Sequence, residues 1–254
     1  VWDAFNEMRK YHADIITDLF GSDCSTFDAD FEELKIILQG FPSLDFNFEY
    51  DRIVSFGEMI STKIVAHYLQ TKISDVEWLD VRKILKTDQI FREATVDWEL
   101  SSTLIAKNFR FNSSRVIVTQ GFIGSTINNL TTTLGREGSD YTAAAIAWLL
   151  DAESVTVWKD VPGIMNADPK WLPEAISLEQ LSYSETVELS FFGAKVIHPK
   201  TLRPLQLKNI PLYVRSFVDP KISGTVINNS EPLHDVPFYI RKDNQILVTM
   251  FPQD

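Results

Sequence analysis

The residues best suited to chemistry lie between Thr131 and Leu150. There Thr-Thr-Thr-Leu-Gly-Arg-Glu-Gly-Ser-Asp-Tyr runs into Thr-Ala-Ala-Ala-Ile-Ala-Trp-Leu-Leu. The pattern predicts a hydroxyl-rich polar turn that becomes a helix. Gly135 and Gly138 permit tight turns and close approach of a ligand. Ser139 and Asp140 are good N-cap types, and Ala143 to Leu150 are strong helix formers. A helix start offers free N–H groups and partial positive charge, which suits an anion. Arg136 stands just before it, with a planar fork that matches a carboxylate. The stretch therefore reads as a seat for an acid or a phosphate. The plainer alternative is a structural glycine turn before a helix, common in α/β proteins.

The elements that must hold this seat follow from periodicity. Val1 to Phe20 carries Val1, Phe5, Met8, Ile15, Ile16 and Leu19 at helical spacing. Ser22 to Ser25 reads as a loop, Phe27 to Leu38 as a second helix, and Gly40 to Pro42 as its end. Arg52 to Leu69 reads as a third helix, interrupted by Ser55-Phe56-Gly57-Glu58. Gly57 is either an opening for a ligand or a helix-packing glycine, and packing is the simpler account. Val76 to Val81, Arg115 to Thr119 and Ser154 to Trp158 read as strands. Gln120 to Ser125 follows the second of these at its C-terminal end, where ligands of open α/β sheets bind. Asp168-Pro169-Lys170 reads as a turn, Leu178 to Phe191 and Lys200 to Leu207 as helices. Ile210 to Val214 and Gly224 to Ile227 read as late strands, and Pro237 to Phe251 as a hairpin around Lys242-Asp243-Asn244. Strand, loop, helix, strand indicates an α/β fold, with a mainly parallel central sheet sandwiched by helices and a helical N-terminal region.

Composition narrows the partners. The 254 residues are 44% hydrophobic, enough for a substantial core, and carry a net charge of −11. That charge argues against nucleic acid or an anionic membrane as a partner. A local basic cluster can still receive an anionic substrate. Cys24 is the single cysteine, which excludes an intrachain disulfide and fits a reducing compartment. No leader or membrane span is legible, so a soluble, cytoplasmic protein is expected.

Six segments, in this order, resemble aspartate kinase of the amino-acid kinase superfamily. They are Ser55-Phe56-Gly57-Glu58, Thr119 to Gly124, Thr131 to Tyr141, Asp160-Val161-Pro162-Gly163-Ile164, Ala167-Asp168-Pro169-Lys170, and Phe192 to Pro199 with Gly193-Ala194-Lys195-Val196. The resemblance covers about Ser55 to Ile227. It implies an amino-acid kinase-like fold and transfer of the γ-phosphoryl group of ATP to the side-chain carboxylate of L-aspartate. The product would be 4-phospho-L-aspartate, the entry to lysine, threonine and methionine synthesis. By resemblance, Arg136 clamps the α-carboxylate of L-aspartate, Glu58 faces its ammonium, and Ser139 lines the same pocket. Asp140 would organise the catalytic lysines rather than act as a base. Asp160 would meet the ribose, Lys170 the phosphates, and Lys195 the charge near them. Lys159, Met165 and Lys170 stand at nucleotide-site positions where the family has a small hydroxyl residue, a tyrosine and an arginine. Glu137 replaces a family glycine. Mg²⁺ is expected with the ATP, without a dedicated protein cage. His198 reads as a helix cap rather than a catalyst, and Trp158 and Phe192 as core or pocket wall.

The family's opening Lys-Phe-Gly-Gly-Thr-Ser segment, which cradles phosphates and supplies a lysine, has no counterpart in these residues. The chain is therefore expected to be a kinase-domain fragment over 1–232 that lacks its first βα unit and is inactive alone. Residues 233–254 would open a truncated ACT regulatory domain. A homodimer is left open. Two alternatives stay in view. One is another amino-acid kinase acting on acetylglutamate, glutamate or carbamate. The other is a non-catalytic subunit that binds nucleotide or amino acid.

Overall fold

The computed structural model describes residues 1–21, 25–109, 116–193, 197–230, 236–241, 244 and 246. The chain divides into two compact units, Val1–Leu150 and Asp151–Asp254.

The first unit opens with α1 (Trp2–Phe20) and α2 (Asp28–Gln39), followed by the long α3 (Phe46–Gln70). Helix α3 starts six residues before the sequence pattern predicts. Asp45 caps it, its carboxylate accepting from the N–H groups of Asn47 and Phe48. The helix serves two cores. Phe56, Ile60 and Ile64 pack with Phe5, Ile16, Phe27, Phe31 and Leu34. Met59 joins a second cluster with Val81, Ile84, Leu85, Ile123, Leu134, Tyr141 and Ala145. Helix α3 therefore buries apolar residues on more than one side.

Strand β1 (Val76–Leu79) pairs in parallel with β2 (Val116–Thr119). Between them lies α4 (Trp98–Asn108), which the sequence reading omits. Asp97 caps it by accepting from the Leu100 N–H. Strands β3 (Ile123–Ser125) and β4 (Thr131–Thr133) form an antiparallel hairpin. The three threonines are thus a strand, not the start of a turn. Helix α5 (Gly138–Leu150) follows, with Ala144, Ala145 and Ala147 buried.

The second unit holds a four-stranded sheet in the order β5 (Val155–Lys159), β7 (Leu212–Ser216), β8 (Thr225–Asn228), β6 (Gln180–Ser182). The β5–β7 and β6–β8 pairs are parallel, and β7–β8 is antiparallel. Helix α6 (Tyr183–Phe192) follows β6 directly, so residues 180–182 are strand where a helix is predicted from Leu178. Ser182 and Glu185 form a capping box that sets this boundary. Helix α7 (Pro199–Lys208) is capped by His198, whose Nδ1 accepts from the Lys200 N–H at 3.2 Å. Residues 236–241 form no strand, and the Tyr239 N–H donates to the Asn166 carbonyl. Most of the hairpin predicted after Pro237 lies outside the described residues.

Replacing Asp45 by alanine removes the cap of the helix that carries Glu58. It should lower unfolding free energy by about 1 kcal/mol in urea denaturation.

Candidate functional site

The residues predicted for a site are found in both units. In the first, Glu58 lies on α3, half-buried, and burial raises its carboxyl above the ordinary carboxylate range. Among the described residues no hydrogen bond or ion pair holds that carboxylate. Above its raised pKa it is an anion without a counter-charge among the described residues. Its backbone is fixed by Thr62, whose hydroxyl donates to the Glu58 carbonyl at 2.7 Å. The Thr62 oxygen also accepts from Trp78 Nε1 at 3.1 Å and from Gln120 Nε2 at 2.9 Å. Gln120 is buried just after β2, and its Oε1 accepts from the Val81 N–H at 2.8 Å. One amide thus joins the strand end, the Val81 turn and α3. A Gln after a β-branched run is a visible signal, but its partners, 39 and 58 residues away, are not.

Gly57, two residues before Met59, faces open space: an added Cβ would meet nothing within 4 Å. Helix packing therefore does not explain it. Gly121 and Gly138 do have steric reasons. A Cβ on Gly121 would stand 2.9 Å from Ser139 Cα, and one on Gly138 would stand 2.8 Å from the Phe122 ring. The Gln120-Gly121-Phe122 loop thus lies directly on the first turn of α5, and the Phe122 N–H donates to Thr142 Oγ1.

That first turn differs from the predicted cap. Helix α5 begins at Gly138, so Ser139 and Asp140 lie inside it rather than at its N-cap. Ser139 is exposed, and Asp140 is a half-buried first-turn acid. Glu137 takes the preceding position with φ +52°, and its Oε2 is buried with no hydrogen bond among the described residues. Arg136 is exposed and lines a cavity of about 560 Å³ together with Asn47, Tyr50, Arg92, Phe122 and Thr133. Glu58, Ser139 and Asp140 are not among the residues lining it.

In the second unit Lys159 ends β5, and its carbonyl accepts from the Phe217 N–H just beyond β7. The parallel ends of β5 and β7 meet there, at Lys159 and Ser216. Asp160 is exposed just after the strand. The following segment is pinned from within. Thr225 Oγ1 accepts from the Ile164 N–H at 2.8 Å and donates to the Leu178 carbonyl at 2.6 Å. Asn166 Oδ1 accepts from the Ile176 N–H at 2.8 Å. Met165 is half-buried beside them, and Lys170 is exposed in a turn closed by Asp168. Trp158 is 48% exposed with the Arg215 guanidinium 5.4 Å from its ring centre, so it is not core. Phe192 is also exposed. Lys195 lies outside the described residues. Among the described residues no three His, Cys, Asp or Glu side chains gather to hold a metal ion.

The amino acid kinase family model matches residues 8–216. The chain belongs to the amino acid kinase family. It is 41% identical over 181 residues to the lysine-sensitive aspartokinase 3 of Escherichia coli K12, a match covering 70% of this chain and 40% of that protein. It is 35% identical over 235 residues to the chloroplastic bifunctional aspartokinase/homoserine dehydrogenase 2 of Arabidopsis thaliana, covering 88% of this chain and 25% of that one. Its structure matches E. coli aspartokinase III in complex with aspartate and ADP (R-state). The TM-score is 0.84 at 34% identity, over 91% of this chain and 53% of that one. The chain thus spans between a quarter and about half of the length of these relatives. The α/β fold with a mostly parallel sheet is that of the aspartokinases.

Glu137 combines a left-handed backbone with an unpartnered buried oxygen. Glu137→Gly relieves both and should stabilise the protein by about 1 kcal/mol, read as a raised Tm.

Proposed function

We propose that the chain is the kinase part of an aspartate kinase, which moves the γ-phosphoryl group of ATP to the side-chain carboxylate of L-aspartate. The observation that carries this reading is the likeness, over 91% of the chain, to an aspartokinase bound to aspartate and ADP. The site residues agree in chemistry. An exposed guanidinium at Arg136 and a half-buried carboxylate at Glu58, neither held in an ion pair among the described residues, would read the two charged groups on the α-carbon. That leaves the side-chain carboxylate as the acceptor. It is ionised at neutral pH, so the nucleophile needs no base. A carboxylate oxygen forms a bond to the γ-phosphorus as the bond to the bridging oxygen of ADP breaks. Such a transfer depends on positioning and charge neutralisation.

In this reading Ser139 lines the amino-acid pocket, and Asp140 holds catalytic lysines in place. Lys159, Asp160, Met165 and Lys170 contact the nucleotide, and Lys195 balances charge at its phosphates. Mg²⁺ travels with ATP and offsets phosphate charge. A cytoplasmic site of action and a homodimer belong to the same reading. Residues 1–232 then form the kinase domain, and 233–254 open a regulatory one. No helix among the described residues is long and apolar enough to cross a membrane.

The complete gene product should form an acyl phosphate, trapped as a hydroxamate, with ATP and L-aspartate. Glutamate, acetylglutamate and carbamate should give far less. Preference for any of these three overturns the choice of substrate.

Glu58 also predicts a pH dependence. Burial raises its carboxyl, so protonation begins above the usual carboxylate range and removes the attraction for an ammonium group. The aspartate KM should therefore rise as pH falls through that raised pKa. In Glu58→Gln this pH limb should vanish, with KM about tenfold higher at pH 8. A pH-dependent KM surviving in the variant would assign the limb to another group.

A further inference from the structure

Asp51 is fully buried, with zero relative exposure. Its Oδ2 accepts from the Thr133 N–H at 2.8 Å and from the Arg92 N–H at 2.9 Å. Its Oδ1 accepts from the Thr133 hydroxyl at 2.7 Å. No cation is paired with it among the described residues. Three donors from two other segments therefore do the work of solvent. A buried carboxyl group is a costly joint, because each of its oxygens must be given a partner in place of water. What it supplies that an apolar contact cannot is direction.

The segments it joins are those that carry the proposed substrate groups. Glu58 lies seven residues further along α3, two turns and about 10 Å up the same face. Arg136 lies three residues beyond Thr133, the last residue of β4. The Thr133 carbonyl accepts from the Ala94 N–H, so the loop bearing Arg92 is held from both sides of this residue. Arg92 has φ +71°, a left-handed backbone conformation that the hydrogen bond to Asp51 holds. Its guanidinium lies 4.7 Å from the Tyr50 ring centre, and Arg92 lines the same cavity as Arg136.

We propose that Asp51 is a positioning residue for the amino-acid substrate: it fixes the separation between Glu58 and the Arg136 loop, and so the fit to both charged groups of the α-carbon. This rests on the aspartate kinase reading. Asp51 touches no substrate atom and acts through Thr133 and Arg92.

The test uses the complete gene product and three variants. Asp51→Ala leaves the two N–H groups and the Thr133 hydroxyl without their acceptor. It should raise the aspartate KM about tenfold or more while the ATP KM stays within about twofold. Asp51→Asn is the rescue, since its carbonyl can accept both N–H groups and its amide can donate to the rotated Thr133 hydroxyl. Its aspartate KM should lie within about threefold of the unsubstituted value. Ser101→Ala breaks a different buried tie in the same unit, the Lys86 N–H to Ser101 Oγ bond of 2.9 Å. It should lower Tm without changing the ratio of the two KM values. Hydrogen exchange reports the tie without turnover: the Thr133 and Arg92 amides should exchange faster in Asp51→Ala and stay protected in Asp51→Asn. If Asp51→Ala does not fold, Thr133→Val removes one bond of the three and should raise the aspartate KM alone, about threefold. An unchanged aspartate KM in an active Asp51→Ala, or an equal rise in both KM values, overturns the proposal. Failure of the functional reading looks different: the unsubstituted protein itself would not turn over aspartate.

Discussion

A carboxylate removed from water must be surrounded by donors, and that requirement at Asp51 organises the first unit. Helix α3, the end of β4 and the loop at Arg92 converge on its two oxygens. Neighbouring ties follow the same rule with other chemistry. Gln120 joins the end of β2 to Val81 and α3 through both ends of one amide. Lys86, nearly buried, donates to Ser125 Oγ and Asn129 Oδ1, and burial lowers its pKa. The Ser125 hydroxyl donates in turn to the Arg82 carbonyl. Apolar packing makes this unit compact, whereas these directed polar bonds fix how α3, the β3–β4 hairpin and the start of α5 are disposed.

The second unit uses the same device at smaller scale. The Thr225 hydroxyl bridges the Ile164 N–H and the Leu178 carbonyl, while Asn166 closes the segment after β5 upon itself. Gly163, with φ +152°, allows this approach, because a Cβ there would stand 2.7 Å from Thr225 Oγ1. A long polar connection is thereby given a defined course beside the strand ends, where an α/β sheet receives its ligand. Among the described residues Glu58 and Arg136 are held by no ion pair, in contrast to Asp80 and Arg82, which neutralise each other through paired hydrogen bonds. Stability and binding place opposite demands on such groups.

Much of the fold is legible in the sequence, because helices and strands declare themselves by period. Helices α1, α2 and α7 and strands β2, β5, β7 and β8 appear within a few residues of their predicted positions. The errors have local physical causes. Thr131–Thr133 is short and polar, so it reads as a turn, yet it is a strand because β3 and Asp51 supply its partners. Residues 180–182 carry no strand pattern of their own and are recruited by β8. Helix α4 is amphipathic only weakly and is announced chiefly by its Asp97 cap. The candidate site is legible as motifs, whereas the ties that hold it are not. Asp51 lies 82 residues from Thr133, and nothing in either local sequence marks the pairing.

Family membership fixes the fold, while the proposed reading of aspartate rests on the likeness to the aspartokinases and requires two opposite charges to be presented to one small molecule. A crystal structure of the complete gene product with L-aspartate and a non-hydrolysable ATP analogue tests this most directly. The account predicts the aspartate α-carboxylate on the Arg136 guanidinium, its ammonium within hydrogen-bond distance of Glu58, and its side-chain carboxylate facing the γ-phosphate. Aspartate bound elsewhere, or bound with its side-chain carboxylate on Arg136, would contradict it.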